Sequence, residues 1–262
     1  QIAQAYLVPE KTMAQRISRA KRTVRDVRFD APGDVGTVRR VLYLVFNEGY
    51  TGNVDLAAEA IRLTRQLAGL SDDEETAGLL ALMLLHHARR SARTGPDGHV
   101  IPLAEQDRSR WDTALIAEGV RILQAALARD RLGEFQAQAA IAALHADASC
   151  VEETDWPQIV EWYDELLALT DSSVVRLNRA VAIGEAEGPT AGLVALGEVD
   201  PAVPRHTAAA AYLYEKAGDL QCAAELYAQA AEKASSIPER HHLTMQAARI
   251  RSTVQPTDRS VS

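Results

Sequence analysis

The 262-residue chain contains only two cysteines, Cys150 and Cys222. So small a number leaves either one Cys150–Cys222 disulfide or two buried cytoplasmic thiols, and the thiols are expected. Aromatic residues make up 5% of the chain and alanine is abundant, which favours close-packed helices over sheets. Long apolar runs are missing too. The longest, Leu79–Leu85, is far too short to cross a bilayer, so no membrane contact is expected. No signal peptide opens the chain, and a cytoplasmic protein is predicted. Gln1 stands where an initiator methionine would, inside a helix motif, and is read as the start of a fragment.

Groups with catalytic or metal-binding chemistry are scattered rather than assembled. Adjacent His86 and His87 face different sides of a helix, so they do not form the i, i+4 pair of a zincin helix. Charge at a helix C-terminus is their expected role, and the same holds for His241 and His242. His145 and Asp147, two apart, do not face each other. Glu48 has no second carboxylate, nucleophile or phosphate loop beside it. No enzyme, no cofactor and no metal is therefore expected. Asp107, Arg108, Arg110 and Asp112 surround Trp111, either as solvated ion pairs or as an interdomain or protein contact.

What the chain has is a charge asymmetry. The net charge is −8, yet residues 1–28 hold seven Lys/Arg against Glu10 and Asp26, a balance of +5 that leaves −13 for the rest. A basic head on an acidic body offers only its head to nucleic acid. The body's partners are then proteins or small molecules.

The head reads as two helices. The first, Ile2–Val8, stops at Pro9, because the residue before proline is pushed out of the α region. The second runs from Glu10 to Val27, with Met13, Ile17, Ala20, Val24 and Val27 as one apolar stripe. Arg16, Arg19, Lys21, Arg22 and Arg25 are left for the other faces. This is either a helical hairpin with a solvated basic face or a helix-turn-helix, whose second helix enters the major groove.

Arg28–Gly36 is a linker rich in turn residues. The run Val41–Phe46 suits a strand or a helix, and helix is preferred because no partner strand follows, with Gly49 as the C-cap of Val38–Tyr50. Helices follow at Asp55–Leu70, Glu74–Arg90, Ser109–Ala128 and Phe135–Ala148, with a loop over 91–102. Tyr163, Leu193 and Tyr227, 30 and 34 residues apart, mark a weak repeat. Its best copy, Ala209–Ala234, has Tyr214, Gly218, Ala223, Tyr227 and Ala230 near the spacing of a tetratricopeptide repeat. Hairpins of this kind stack into a solenoid, the alternative being an irregular helical bundle. The fold class expected is all-α, divided into a partial helix-turn-helix (1–28), a linker (29–37), a tetratricopeptide-like body (38–252) and a disordered polar tail (253–262).

Specific residues add a resemblance. Ile2-Ala3-Gln4-Ala5, Thr12-Met13, Arg16-Ile17 and Arg19-Ala20-Lys21-Arg22 resemble region four of bacterial sigma factors. Pro9 departs from that pattern, where many members place a capping serine. Further on, Leu42–Tyr50, Ala58–Leu63, Leu79–Leu85, Asp107–Asp112 and Leu177–Ala182 resemble the extracytoplasmic-function (ECF) sigma factors that carry a tetratricopeptide-like extension. The resemblance implies RNA polymerase core as partner and the promoter −35 element as DNA target. A regulatory protein on the repeat body is a further implied partner. Sigma region two, needed in that family to open the −10 element, is missing from this chain.

For the DNA-reading helix, Thr12, Gln15, Arg16 and Arg19 lie near its front. An arginine there suits guanine and Gln15 suits adenine. Lys11, Lys21 and Arg22 suit phosphate. The rival reading is a protein-interaction scaffold of the repeat type, with a vestigial DNA-binding head.

Overall fold

The computed structural model describes residues 8–25, 33–49, 56–95 and 101–254. Among these residues every regular element is helical, as the composition predicts. The α-helices are α1 (Glu10–Val24), α2 (Val35–Gly49), α3 (Leu56–Leu70), α4 (Glu74–His87), α5 (Thr113–Leu127) and α6 (Glu134–Asp147). They continue with α7 (Trp156–Thr170), α8 (Ser173–Ala186), α9 (Pro189–Gly197), α10 (His206–Lys216), α11 (Leu220–Lys233) and α12 (Ile237–Val254). Short 3-10 turns lie at Arg90–Ala92, Leu103–Glu105, Arg108–Arg110 and Val151–Glu153. Residues 2–7 of the expected first helix and 28–32 of the expected linker fall outside the described residues; the rest of the linker is loop only over 33–34, because α2 begins at Val35, three residues before the expected Val38.

The ambiguous run Val41–Phe46 is helical. Leu42 and Phe46, four apart, are buried, while Val41 between turns is exposed. Gly49 does not cap this helix as expected. It is the last residue of α2, and a Cβ there would sit 2.2 Å from the Ala57 backbone nitrogen. Glycine is required because α3 begins against it, not because the chain turns left-handed. The predicted helix Ser109–Ala128 starts later, at Thr113, where Asp112 caps it by accepting from Ala114 N and Leu115 N. At the other end of the chain, α12 carries on through Ser252 to Val254 rather than fraying there.

Aspartates begin several other helices. Asp73 accepts from Thr76 N at 2.9 Å, Asp155 from Gln158 N at 3.0 Å and Asp219 from Cys222 N at 3.0 Å. Gly218, at φ +84°, makes the left-handed turn from α10 into α11 that a side chain would resist.

Helix α4 is the centre of the first half. Every residue from Leu79 to Leu85 is at most 4% exposed, so the helix is apolar all round and packs against α2, α3, α5 and α6. Helix α6 packs chiefly on α4, and from α7 onward each helix packs chiefly on its neighbours in the chain. The apolar side chains form four clusters in chain order. The first spans α2–α6, the second α6–α8, the third α8–α10 and the fourth α10–α12. Tyr163, Leu193 and Tyr227 fall on α7, α9 and α11, alternate members of this series. Helix α1 packs extensively on no other described helix.

Acids at the start of α4 tie it to α6 and to the segment just before α6. Glu75 of α4 accepts from Phe135 N at 2.7 Å and Gln136 N at 3.1 Å, and so satisfies donors at the first turn of α6. Glu74 receives a forked pair from Arg131 at 2.6 and 2.7 Å, and Arg129 holds Asp72 at 2.5 and 2.8 Å.

Candidate functional site

All seven residues singled out for DNA stand on α1 or its first turn. Pro9 is the N-cap residue and supplies no side-chain cap; its carbonyl accepts from Met13 N at 3.0 Å. Proline at this place removes a donor that would otherwise be orphaned and still lets the helix begin. Glu10 in the first turn and Lys21 and Arg22 in the last agree with the helix dipole.

Met13 is buried, at 7% exposed, and Ile17 is half-buried. Lys11, Gln15, Arg16, Arg19, Lys21 and Arg22 are exposed, and Thr12 is half-buried. At about 100° per residue, Lys11, Gln15 and Arg22 lie opposite Met13, with Arg19 and Thr12 to one side. Arg16 and Lys21 flank the apolar stripe. None of the four arginines and lysines from Arg16 to Arg22 is paired with a carboxylate among the described residues. From Lys11 to Arg22 the cations span about 16 Å of helix. They are therefore free to meet an external polyanion, and the structure neither seals them in the body nor spends them in ion pairs.

The sequence reading placed a possible protein contact at Trp111, but the neighbouring arginine is already engaged. Trp111 is 5% exposed and Arg108 stacks on it at 4.9 Å. Arg108 Nη1 also donates to His145 O at 2.6 Å and to Ala148 O. Asp107 caps its own turn and Asp112 caps α5. The cluster holds the segment after α4 onto the end of α6. The cysteines correct a second expectation: Cys150 and Cys222 are both free and both partly exposed rather than buried.

A region that sequence reasoning missed lies between α4, α6, α7 and α8. A cavity of about 450 Å³ opens there, with His86, Arg89 and His145 at one end and Glu134 and Gln138 toward the other. A second, of about 260 Å³, shares His86, Arg89 and Leu103 and adds Arg93 and Gln106. His86 is not the charged helix-end residue that the sequence suggests. Burial, then the nearby charges of Arg89, Arg93 and His145, lowers its pKa to about 3. Arg89 Nη2 lies 3.4 Å from His86 Nδ1, and a guanidinium only donates, so the ring nitrogen accepts and the imidazole is neutral. His145, packed edge-on to Trp156 at 5.2 Å, is lowered to about 4 by burial and then by Arg89 and Arg108. The two histidines are 59 positions apart, and no spacing rule joins them. Only the packing of α4 on α6 brings them to one chamber.

No group of three or more His, Cys, Asp or Glu side chains among the described residues is arranged to hold a metal ion. None of the described helices is long and apolar enough to cross a membrane.

Residues 34–127 match a family of unknown function (DUF6596). That segment runs from the start of α2 to the end of α5, and so includes α4 and most of the first apolar cluster. The chain is also similar to an uncharacterized protein of Rhizobium meliloti, 45% identical over 209 residues, which is 74% of this chain and 49% of that protein. The chain thus spans about half the length of the curated relative it matches. No solved structure matches it significantly.

Proposed function

We propose that this chain is the C-terminal part of an ECF-type sigma factor, acting in the cytoplasm. In this reading α1 is the second helix of a helix-turn-helix that recognises the promoter −35 element, and RNA polymerase core is the protein partner. The tetratricopeptide-like body modulates that activity, directly or by holding a regulatory protein, and performs no catalysis of its own.

The single observation that carries the reading is α1 itself. It buries Met13, exposes Arg16, Arg19, Lys21 and Arg22, and leaves those cations unpaired on an otherwise acidic chain. A surface of this kind suits phosphate contact from its flanks and base contact from its front. The resemblance of 1–28 to sigma region four supplies the class of DNA site. Val8, just before α1, lines a cavity of about 790 Å³ with residues of the α9–α10 connection and of α12, which supports modulation of the head by the body.

The test is binding of the full chain to promoter duplexes across a salt series. The expected result is a steep loss of affinity with salt together with a retained sequence preference. Changing Arg16 and Arg19 together to glutamine should remove the preference while the salt slope, set by phosphate contacts from Lys11, Lys21 and Arg22, changes little. A footprint that survives the double change sinks the groove assignment. Binding with neither salt dependence nor preference favours the scaffold reading.

A further inference from the structure

The cavity of about 790 Å³ that Val8 lines is a groove toward the C-terminal end of the body. Its walls come from the connection between α9 and α10, from α10 and α11, and from α12, with Val174 added from α8. The volume lies in the range of clefts that bury a small ligand, which gives room for a few side chains. Apolar groups dominate the lining, among them Val174, Val203, Pro204, Ala234 and Leu243. Val174 is nonetheless 44% exposed, and Pro204 is exposed too. Pro201 and Pro204 fix their own φ angles, so this wall is largely set before anything enters and loses less freedom on binding.

The charged groups of the lining are already engaged. Arg205 Nε donates to Glu239 at 2.8 Å, Lys233 Nζ donates to Thr207 Oγ1 at 3.3 Å, and a ring nitrogen of His206 lies 3.3 Å from Leu196 O. The groove therefore favours an apolar, uncharged occupant. The chain itself leads one there. Val8, the first described residue, stands in the groove, and Pro9 follows as the N-cap of α1. Val8 and Met13 occupy the two positions of a hydrophobic staple, the residue before the N-cap and the fourth of the helix, which fixes the angle at which chain and helix meet. Residues 1–7 join at Val8. They reach about 10 Å from it as a helix and at most about 24 Å when extended. None of their side chains is charged, and Tyr6 and Leu7 come directly before Val8. The other end of the chain fits less well. Residues 255–262 carry Asp258 and Arg259 and begin twelve residues, about 18 Å along α12, beyond Leu243.

We infer that this groove is the docking surface for residues 1–7 of the same chain, with Tyr6 and Leu7 entering it beside Val8. The contact anchors the start of α1 to the last helices of the body, and the exposed cations of α1 stay outside it. It gives the modulation of head by body a physical seat. The docking itself does not depend on α1 reading DNA, so the two readings stand or fall separately.

Hydrogen exchange of the full chain, read by mass spectrometry in the absence of DNA, tests this. Tyr6→Asp with Leu7→Asp puts charge where the groove is apolar. That change should speed amide exchange over 202–208 about tenfold, the effect of losing roughly one buried side chain. Exchange over 79–85 in α4 should stay as it was. Val174→Asp probes the same contact from the groove, at a side chain already 44% exposed, and should speed exchange over residues 3–8 by a similar factor. It also decides the matter if the double change fails to fold. The proposal is overturned if 202–208 exchange at the same rate with and without the double change, or if Val174→Asp leaves residues 3–8 unaffected. Protection over 202–208 that grows with protein concentration, alongside a dimer in sedimentation, overturns it as well, because the occupant would then be a second copy of the chain.

Discussion

Helices α1 and α4 are nearly equal in length, 15 and 14 residues, and they have opposite environments. Helix α4 carries apolar residues on all sides through Leu79–Leu85 and became the hub that four other helices cover. Helix α1 carries one narrow stripe, buries Met13 and leaves its cations in solvent. The arginines of the body differ in the same way. Arg39, Arg65, Arg129, Arg131 and Arg179 are matched to carboxylates, whereas Arg16 and Arg19 are not. Charge in the body is used to fix helix against helix, and charge on the head is held in reserve for something outside the chain.

That contrast is open to breakage at four points. The largest effect belongs to the hub. Leu84→Ala empties part of a fully buried site and should destabilise the protein by about 3 kcal/mol, read as a lower denaturant midpoint. A change below about 1 kcal/mol would mean that α4 is not the centre of the core.

The second effect comes from the half-buried histidines His86 and His145 and depends on pH. His86, lowered to about 3, and His145, lowered to about 4, stay neutral in the fold, while in the unfolded chain both titrate near 6.5. Between those values the unfolded state binds more protons, so stability rises with pH and is lost as pH falls below about 6.5. Acidification from pH 7 to 5 should remove on the order of 2 kcal/mol for each histidine, and His86→Gln should shrink that slope by about half. An unchanged slope in the variant would place His86 in a more solvated setting than the chamber.

A smaller effect is expected where α4 begins. Asp73→Ala removes the cap on Thr76 N together with the Arg39 partner, and should lower stability by about 1–2 kcal/mol. The smallest belongs to α1. Arg16→Gln with Arg19→Gln should leave the denaturant midpoint within about 0.5 kcal/mol, because exposed unpaired side chains hold nothing in place. A large drop there would show that the head is built into the body.

Much of this contrast was legible in the residues. The all-α class follows from scarce aromatics, abundant alanine and 3.6-residue periodicity, and α5 buries Leu123 with Leu115, Ile116 and Val120 half-buried on the same side, as the spacing predicts. The α1 stripe holds only in part: Met13 is buried and Ile17 half-buried, but Ala20, expected on the same stripe, is exposed like the cations. Contacts between distant positions were not legible. Glu75 meets α6 across 60 residues, and His86 meets His145 across 59, through packing that no local pattern encodes. Gly49 misled for the same reason: at a helix end it reads as a cap, and only the approach of Ala57 shows that space was the constraint. Arg108 likewise reads as a surface charge until the carbonyls of His145 and Ala148 are found beneath it.

The four apolar clusters are linked only in sequence order, each sharing a helix with the next. Disturbance in such a molecule has a limited range: a break in the turn between α11 and α12 loosens one end without reaching the far one. Messages have the same limit. An event at the far terminus reaches the hub by relay through every intervening pair.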